Sequence, residues 1–378
     1  MRVSPEDAAR RQQVDQAFVR GRTLQSEGQL DEAIRIYEQI LLRFPQHSDS
    51  LTLLASASYQ RGDDIQGDAY VNRAIEAQRY ILQRLPDAPT AWAPLANLLL
   101  ARGQQEEAEA ICRNLRLPLN SIRADRQTFL NRRNAAMLSG LPPMLITTLP
   151  KSASESIWNR LAEGLGLAQS HLSIGLFPDC CILGPRAQEF AQGGVISKEH
   201  VPASKHNLEM LHAAGIRRTL VHLRDPRQAV VSWAHFVSSD VSMRLLAPIW
   251  RKIVPPASVL AQGLSAVLDW SVEHYLKLQV EWVQGWVEAA EAETGGPEIF
   301  FLDFEGFRRD PDDYLAQVLA FFRVAPDAFD PERGAAAEDV HLRRGDTDEW
   351  RQALSKAQQD RALEIMTPEL CRRFGWSA

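Results

Sequence analysis

A run of twenty-two residues, Met144 to Leu165 (MLITTLPKSASESIWNRLAEGL), constrains this chain more than any other stretch. It opens with the apolar Met144, Leu145 and Ile146, turns at Thr147-Thr148-Leu149-Pro150, and sets Lys151-Ser152-Ala153-Ser154 before an amphipathic helix. Ile157, Leu161 and Leu165 recur at i, i+4 and i+8, one face of that helix. A strand, a tight loop carrying a lysine and hydroxyls, and a helix N-terminus make an anion site, because first-turn N–H groups lack intrahelical acceptors and the dipole is positive there. Ser152 and Glu155 also fit a capping box, which would tie up the same residues in plain helix initiation.

At 378 residues the chain is comfortable for two domains. Its net charge of −6 argues against nucleic acid as the main partner and requires any anion site to be a local basic pocket. No stretch of 18 uncharged apolar residues predicts a membrane span, and the N-terminus shows no signal-peptide core. Cys112, Cys180, Cys181 and Cys371 have no metal-ligand spacing and read as reduced thiols of a cytoplasmic protein.

The first third repeats itself. Gly28-Gln-Leu-Asp-Glu-Ala33 returns as Gly103-Gln-Gln-Glu-Glu-Ala108, and Gly62-Asp63-Asp64 marks a copy between them. Gly28 and Gly62 lie 34 positions apart and Gly62 and Gly103 lie 41 apart, so the second unit carries an insertion. Val14 to His47, with Gly21, Gly28, Ala33, Tyr37, Ile40 and Pro45, resembles a tetratricopeptide repeat. Pro89 to Pro118 resembles another through Trp92, Leu95, Ala96, Gly103 and Ala108, while the middle copy has Gly67 where an alanine would stand. That resemblance implies a helical domain over residues 1–120 with a face for a protein or peptide partner; covering the neighbouring domain is the alternative role. A linking helix within 121–141 ends at the Gly/Pro cluster Gly140 to Pro143, the expected boundary.

From residue 142 to 378, short apolar runs alternate with longer helical patterns. Strands are predicted at Met144–Thr148, Gly194–Ser197, Thr219–Leu223 and Ile299–Phe304; helices at Ser154–Leu165, Asn207–Ala214, Gln228–Val237, Ala266–Ala292 and Asp312–Phe322. This is the pattern of a parallel α/β sheet, which binds ligands beyond the carboxyl ends of its strands. Lys151, the segment after Ser197, and Arg224 each follow a strand and should converge on one sheet edge.

Pro150-Lys151-Ser152-Ala153-Ser154-Glu155 resembles PKSGTT, the phosphosulfate loop of sulfotransferases that use 3′-phosphoadenosine 5′-phosphosulfate (PAPS) and release 3′-phosphoadenosine 5′-phosphate (PAP). Arg224 to Ser232, followed by Trp233-Ala-His235-Phe236, is similar to their 3′-phosphate segment RNPKDVAVSYYHF. Lys198-Glu-His200-Val-Pro202 resembles KTHLP, whose histidine is catalytic in cytosolic members. Phe304-Glu305 through Asp310-Pro311 resembles YEDLxxDP, and Arg343-Arg344-Gly345 through Trp350-Arg351 resembles RKGxxGDWK. Five strings in the family's order identify residues 142–378 as sulfotransferase-like, with a P-loop-like fold.

That resemblance implies in-line sulfuryl transfer to a hydroxyl or amine. His200 would act as general base, Lys151 would neutralise the leaving phosphosulfate bridge, and Lys198 would assist at the sulfuryl group. Ser152, Ala153, Ser154, Glu155 and Ser156 would line the loop. Arg224, Ser232, Arg343, Arg344 and Gly345 would hold the 3′-phosphate, and Phe304 would lie near the adenine. No metal is expected, since fixed cations and a helix end supply the positive charge. Ala153 replaces the family's glycine, and Glu155 replaces a threonine that donates to the 5′-phosphate; capping the helix would turn that carboxylate away. Some branches use a glutamate base, which makes Glu199 or Glu155 the rival to His200. The competing functions are a nucleotide-dependent phosphotransferase, against which the frame GxxxxGK[ST] is missing, and an inactive sulfotransferase-like protein acting through its repeats.

Overall fold

The computed structural model describes residues 5–85, 89–114, 126–239, 252–292, 296–335 and 346–376. The chain divides into two compact units, residues 1–108 with 234–270, and residues 109–233 with 271–378.

The first unit is helical among its described residues. Pro5–Ser26, Leu30–Arg43, Ser48–Gln60, Asp64–Arg84 and Pro89–Ala101 follow one another, and each packs on its sequence neighbour. Gly28, Gly62 and Gly103, the glycines of the sequence repeat, occupy the three turns with φ of +79°, +83° and +72°. Such turns need the left-handed backbone that glycine adopts without strain. Small residues admit aromatic rings between paired helices. A Cβ on Gly21 would stand 2.6 Å from Tyr37, and a Cβ on Gly67 would stand 2.6 Å from Tyr59. The middle copy therefore keeps the small-against-tyrosine contact with the two partners exchanged between its helices. An open groove of about 620 Å³ in this unit is lined by Gln46, Asn72, Arg73, Arg79 and Gln104 among others.

The second unit is built on a parallel sheet of five strands: β1 (Met144–Thr148), β2 (Ala168–Ser170), β5 (Val195–Glu199), β6 (Arg218–Leu223) and β7 (Glu298–Asp303). Their spatial order is β2-β5-β1-β6-β7, and a small antiparallel pair, β3 (Ser173–Ile174) with β4 (Cys181–Ile182), lies apart. Strand β1 is flanked by β5 on one side and β6 on the other, so the chain reverses its direction of progress there and opens a crevice at the carboxyl ends. Met144 and Ile146 pack with Ile196 and Leu220 against Ile157, Trp158 and Leu161 of the helix Ser154–Leu165 and Tyr314, Val318 and Phe322 of Pro311–Phe322. The predicted strands and helices of this unit are present with ends shifted by one or two residues, apart from one. The span Ala266–Ala292 is not continuous: a π-helical turn, Ser271–Tyr275, separates Leu264–Trp270 from Leu276–Glu291. The linking helix begins at Arg126 and ends at Leu138; its predicted start lies outside the described residues. No described helix is long and apolar enough to cross a membrane.

Candidate functional site

Registry brings the predicted residues together. Thr147 pairs with Glu199 on one side and with Val221 on the other, so the loop after β1 leaves the sheet between the ends of β5 and β6. Lys198 and Glu199 are the last residues of β5, which runs two residues past the predicted end at Ser197, and His200 follows them.

The loop after β1 is held in an unusual shape. Lys151 (φ +68°) and Ala153 (φ +62°) are both left-handed, at a cost of about 1 kcal/mol each for residues with a Cβ. Two bonds from the β6 side hold it there. His222 Nε2 lies 2.7 Å from the Ser152 carbonyl, and Arg224 Nη1 donates to the Lys151 carbonyl at 2.7 Å. The capping box does not form. Ala153 is the N-cap and has no side-chain acceptor to offer, while the fully buried Ser152 hydroxyl turns back to donate to the Leu149 carbonyl at 2.7 Å and lies 2.5 Å from Thr148 Oγ1. Glu155, freed from capping, forms an ion pair with Lys198 instead. Ser154 and Ser156 are buried in the first turn, and the Ser156 hydroxyl has no hydrogen-bond partner among the described residues.

His200 is fixed from two directions. Its Nδ1 lies 2.6 Å from the Thr148 carbonyl. A carbonyl only accepts, so Nδ1 carries the proton and Nε2 keeps its lone pair. The next carbonyl, Val201, accepts from Trp282 and Trp286 at 2.9 and 3.0 Å and from Thr147 Oγ1 at 3.2 Å. Burial, with the Lys198 charge, lowers the His200 pKa to about 4, so the ring is neutral at neutral pH. Glu199 is 3% exposed and accepts from Leu172 N–H and the Ser197 hydroxyl at 2.5 and 2.6 Å, and from Ser173 Oγ. Burial pushes its pKa up, but His171, Ser173 and Ser197 together outweigh that and hold it at about 2.

Beyond β6, Arg224 does not pair with Asp225. Its guanidinium sits 4.1 Å from the Phe304 ring centroid, and Nη2 donates to the Asp346 carbonyl at 2.8 Å. Phe304 is only 1% exposed and has that arginine over its ring. Asp225 instead takes a forked contact from the buried Arg227, which stacks on Trp350 at 3.7 Å. Gln228 binds the Trp350 N–H and Glu349, which fastens the segment from Asp346 onward beside Arg224. Pro226 starts the helix Pro226–Ser239, two residues before the predicted Gln228, with Ser232 buried nearly two turns along. Arg343, Arg344 and Gly345 lie outside the described residues.

Sequence reasoning missed three participants. His222 looked like an apolar-strand residue, yet it links the loop to Tyr314, whose hydroxyl is 2.8 Å from Nδ1. Tyr314 sits more than ninety positions away, and no spacing rule connects them. Glu305, after β7, has both carboxylate oxygens buried without a partner among the described residues, and burial, with Asp303 and Asp225 near it, raises its pKa to about 7.

No family model and no curated protein matches the sequence. Among solved structures, mouse sulfotransferase SULT7A1 complexed with PAP is similar at 11% identity and a TM-score of 0.44, over 67% of this chain and 95% of that one. At that distance the likeness carries no inference about activity.

Proposed function

We propose that this chain is a sulfotransferase that moves a sulfuryl group from PAPS to a hydroxyl or amine acceptor. The observation that carries the reading is His200, neutral, tied through Nδ1 to the Thr148 carbonyl, with its Nε2 lone pair at the same sheet edge as the Lys151 loop. The residues suit a doubly anionic ligand. Lys151, the loop N–H groups and the Ser156 hydroxyl, which has no partner among the described residues, offer donors at one end, and Arg224 with Ser232 at the other.

PAPS, when bound, supplies an activated sulfuryl group. His200 Nε2 takes the acceptor proton, and the Nδ1–H bond to Thr148 holds the ring in the tautomer that can do so. Lys151 and the first-turn N–H groups stabilise charge on the leaving side. Both rival bases are engaged elsewhere: Glu199 is saturated by donors, and Glu155 pairs with Lys198. Arg343, Arg344 and Gly345 complete the 3′-phosphate grip in this reading, with Phe304 and Arg224 backing it. The helical unit, whose repeats we read as tetratricopeptide-like, presents its groove to a protein or peptide partner.

Thermal unfolding with PAP is the test. Saturation at 100 times Kd should stabilise the fold by about 2.7 kcal/mol, and Lys151→Ala should remove the effect. No shift with PAP, together with no PAP formed from PAPS, overturns the reading. An inactive protein working through its repeats, for which the Lys198–Glu155 pair is the motive, would bind PAP without forming it from PAPS.

A further inference from the structure

Resting on that reading, the Lys198–Glu155 pair carries a consequence for which ligand the site prefers. Glu155 occupies the first turn of the helix Ser154–Leu165, where the dipole and free N–H groups favour an anion, and places a carboxylate there. Its partner Lys198 is the penultimate residue of β5, two positions before His200. The Lys198 side chain is 10% exposed and that of Glu155 is 33% exposed, so the negative member is the more exposed of the two. The pair is thus a fixed dipole, negative at the loop and positive toward the base.

The geometry points to Glu155 as a specificity-determining residue that makes the site prefer the phosphosulfate donor over the phosphate-ended product. In PAPS the bridging 5′-phosphate carries a single charge and the sulfuryl group beyond it carries another, which Lys198 can meet. In PAP the sulfuryl is gone and the 5′-phosphate becomes a dianion above pH about 6, set against Glu155. Both ends of the dipole then disfavour the product. One extra charge a few ångströms from a part-exposed carboxylate is worth about fivefold to tenfold in affinity. The effect hastens product release.

Calorimetric titration of the full chain with PAP and with PAPS, acceptor absent, tests this. Glu155→Gln should tighten PAP about fivefold or more and PAPS about twofold or less. Equal changes for both ligands, or none, overturn the inference while leaving the proposed function standing. Failure of wild type to bind either ligand sinks both.

Should Glu155→Gln not fold, the wild-type ratio of Kd for PAP to Kd for PAPS between pH about 5.5 and 7.5 decides. It should rise as the 5′-phosphate loses its second proton, and a flat ratio overturns the inference. Among the described residues, the charged or titratable groups at these strand ends are Lys151, Lys198, Glu199 with His171 3.7 Å from it, His200, Arg224, Asp225, Asp303 and Glu305. His200 and Glu199 do not titrate in that window. Glu305 does, but it adjoins Arg224 at the end shared by both ligands, so its effect cancels in the ratio.

Discussion

His222 donates its Nε2–H to the carbonyl of Ser152 across 2.7 Å, and the Tyr314 hydroxyl donates to Nδ1 of the same ring at 2.8 Å. The carbonyl fixes the tautomer, and the tyrosine satisfies the other nitrogen. All three residues are buried, and burial lowers the His222 pKa to about 4, so the relay is neutral across the working range.

Tyr314→Phe should leave Nδ1 buried and unpaired, at about 1–3 kcal/mol of stability. The loop at Lys151 should loosen with it. Melting curves with and without PAP check both: a lower Tm alone, and a smaller PAP-induced rise than in wild type.

His200→Gln should cut PAP formation from PAPS by about 10²–10⁴-fold while leaving PAP affinity within about twofold. Because the base must be unprotonated and burial holds His200 at about 4, wild-type kcat/KM should be level from neutral pH down and fall only on approaching pH 4. A limb near pH 6.5 would assign the base elsewhere.

Arg227→Met removes the only forked cation on buried Asp225 among the described residues and the stack on Trp350. An uncompensated buried carboxylate costs about 3–5 kcal/mol. Denaturant titration should show that loss, and Arg227→Met with Asp225→Asn should recover part of it.

Glu305 ties stability to pH in the direction opposite to a salt-bridged acid. Its folded pKa of about 7 exceeds the ordinary 4.5, so the folded state binds more protons between those values and stability falls as pH rises through them. The loss should total at most ~3 kcal/mol by pH 7.5. Glu305→Gln should flatten the dependence in chemical denaturation at pH 5 and pH 7.5.

Gly67→Ala should overpack Tyr59, costing about 1–3 kcal/mol, because the added Cβ stands 2.6 Å from its ring. Gly62→Ala meets no neighbour within 4 Å, so its cost comes from φ +83° alone, about 1 kcal/mol. Paired melts separate packing from backbone strain.

The sheet and its edge were legible because short apolar strands and long amphipathic helices write distinct periods into the sequence. The helix Ser154–Leu165 matches its predicted span residue for residue, and Lys151, His200 and Arg224 lie just past strand ends as the alternation predicts. Strand β2, with three residues, and the two-residue strands β3 and β4 are too short to show a period. The capping-box spacing misleads because it is local, whereas the partner that claims Glu155 lies 43 positions away. The same distance problem hid Tyr314 from His222, and the π-turn from a helix whose apolar period runs through it.

Lys151 and Ala153 bend the wrong way for residues with side chains, and what keeps them so is a grip by His222 and Arg224 on two successive carbonyls. The loop's shape is therefore stored in the neighbouring strand as much as in the loop. A change made in β6 would be felt at Lys151 as surely as one made beside it, and loop and strand can only drift together.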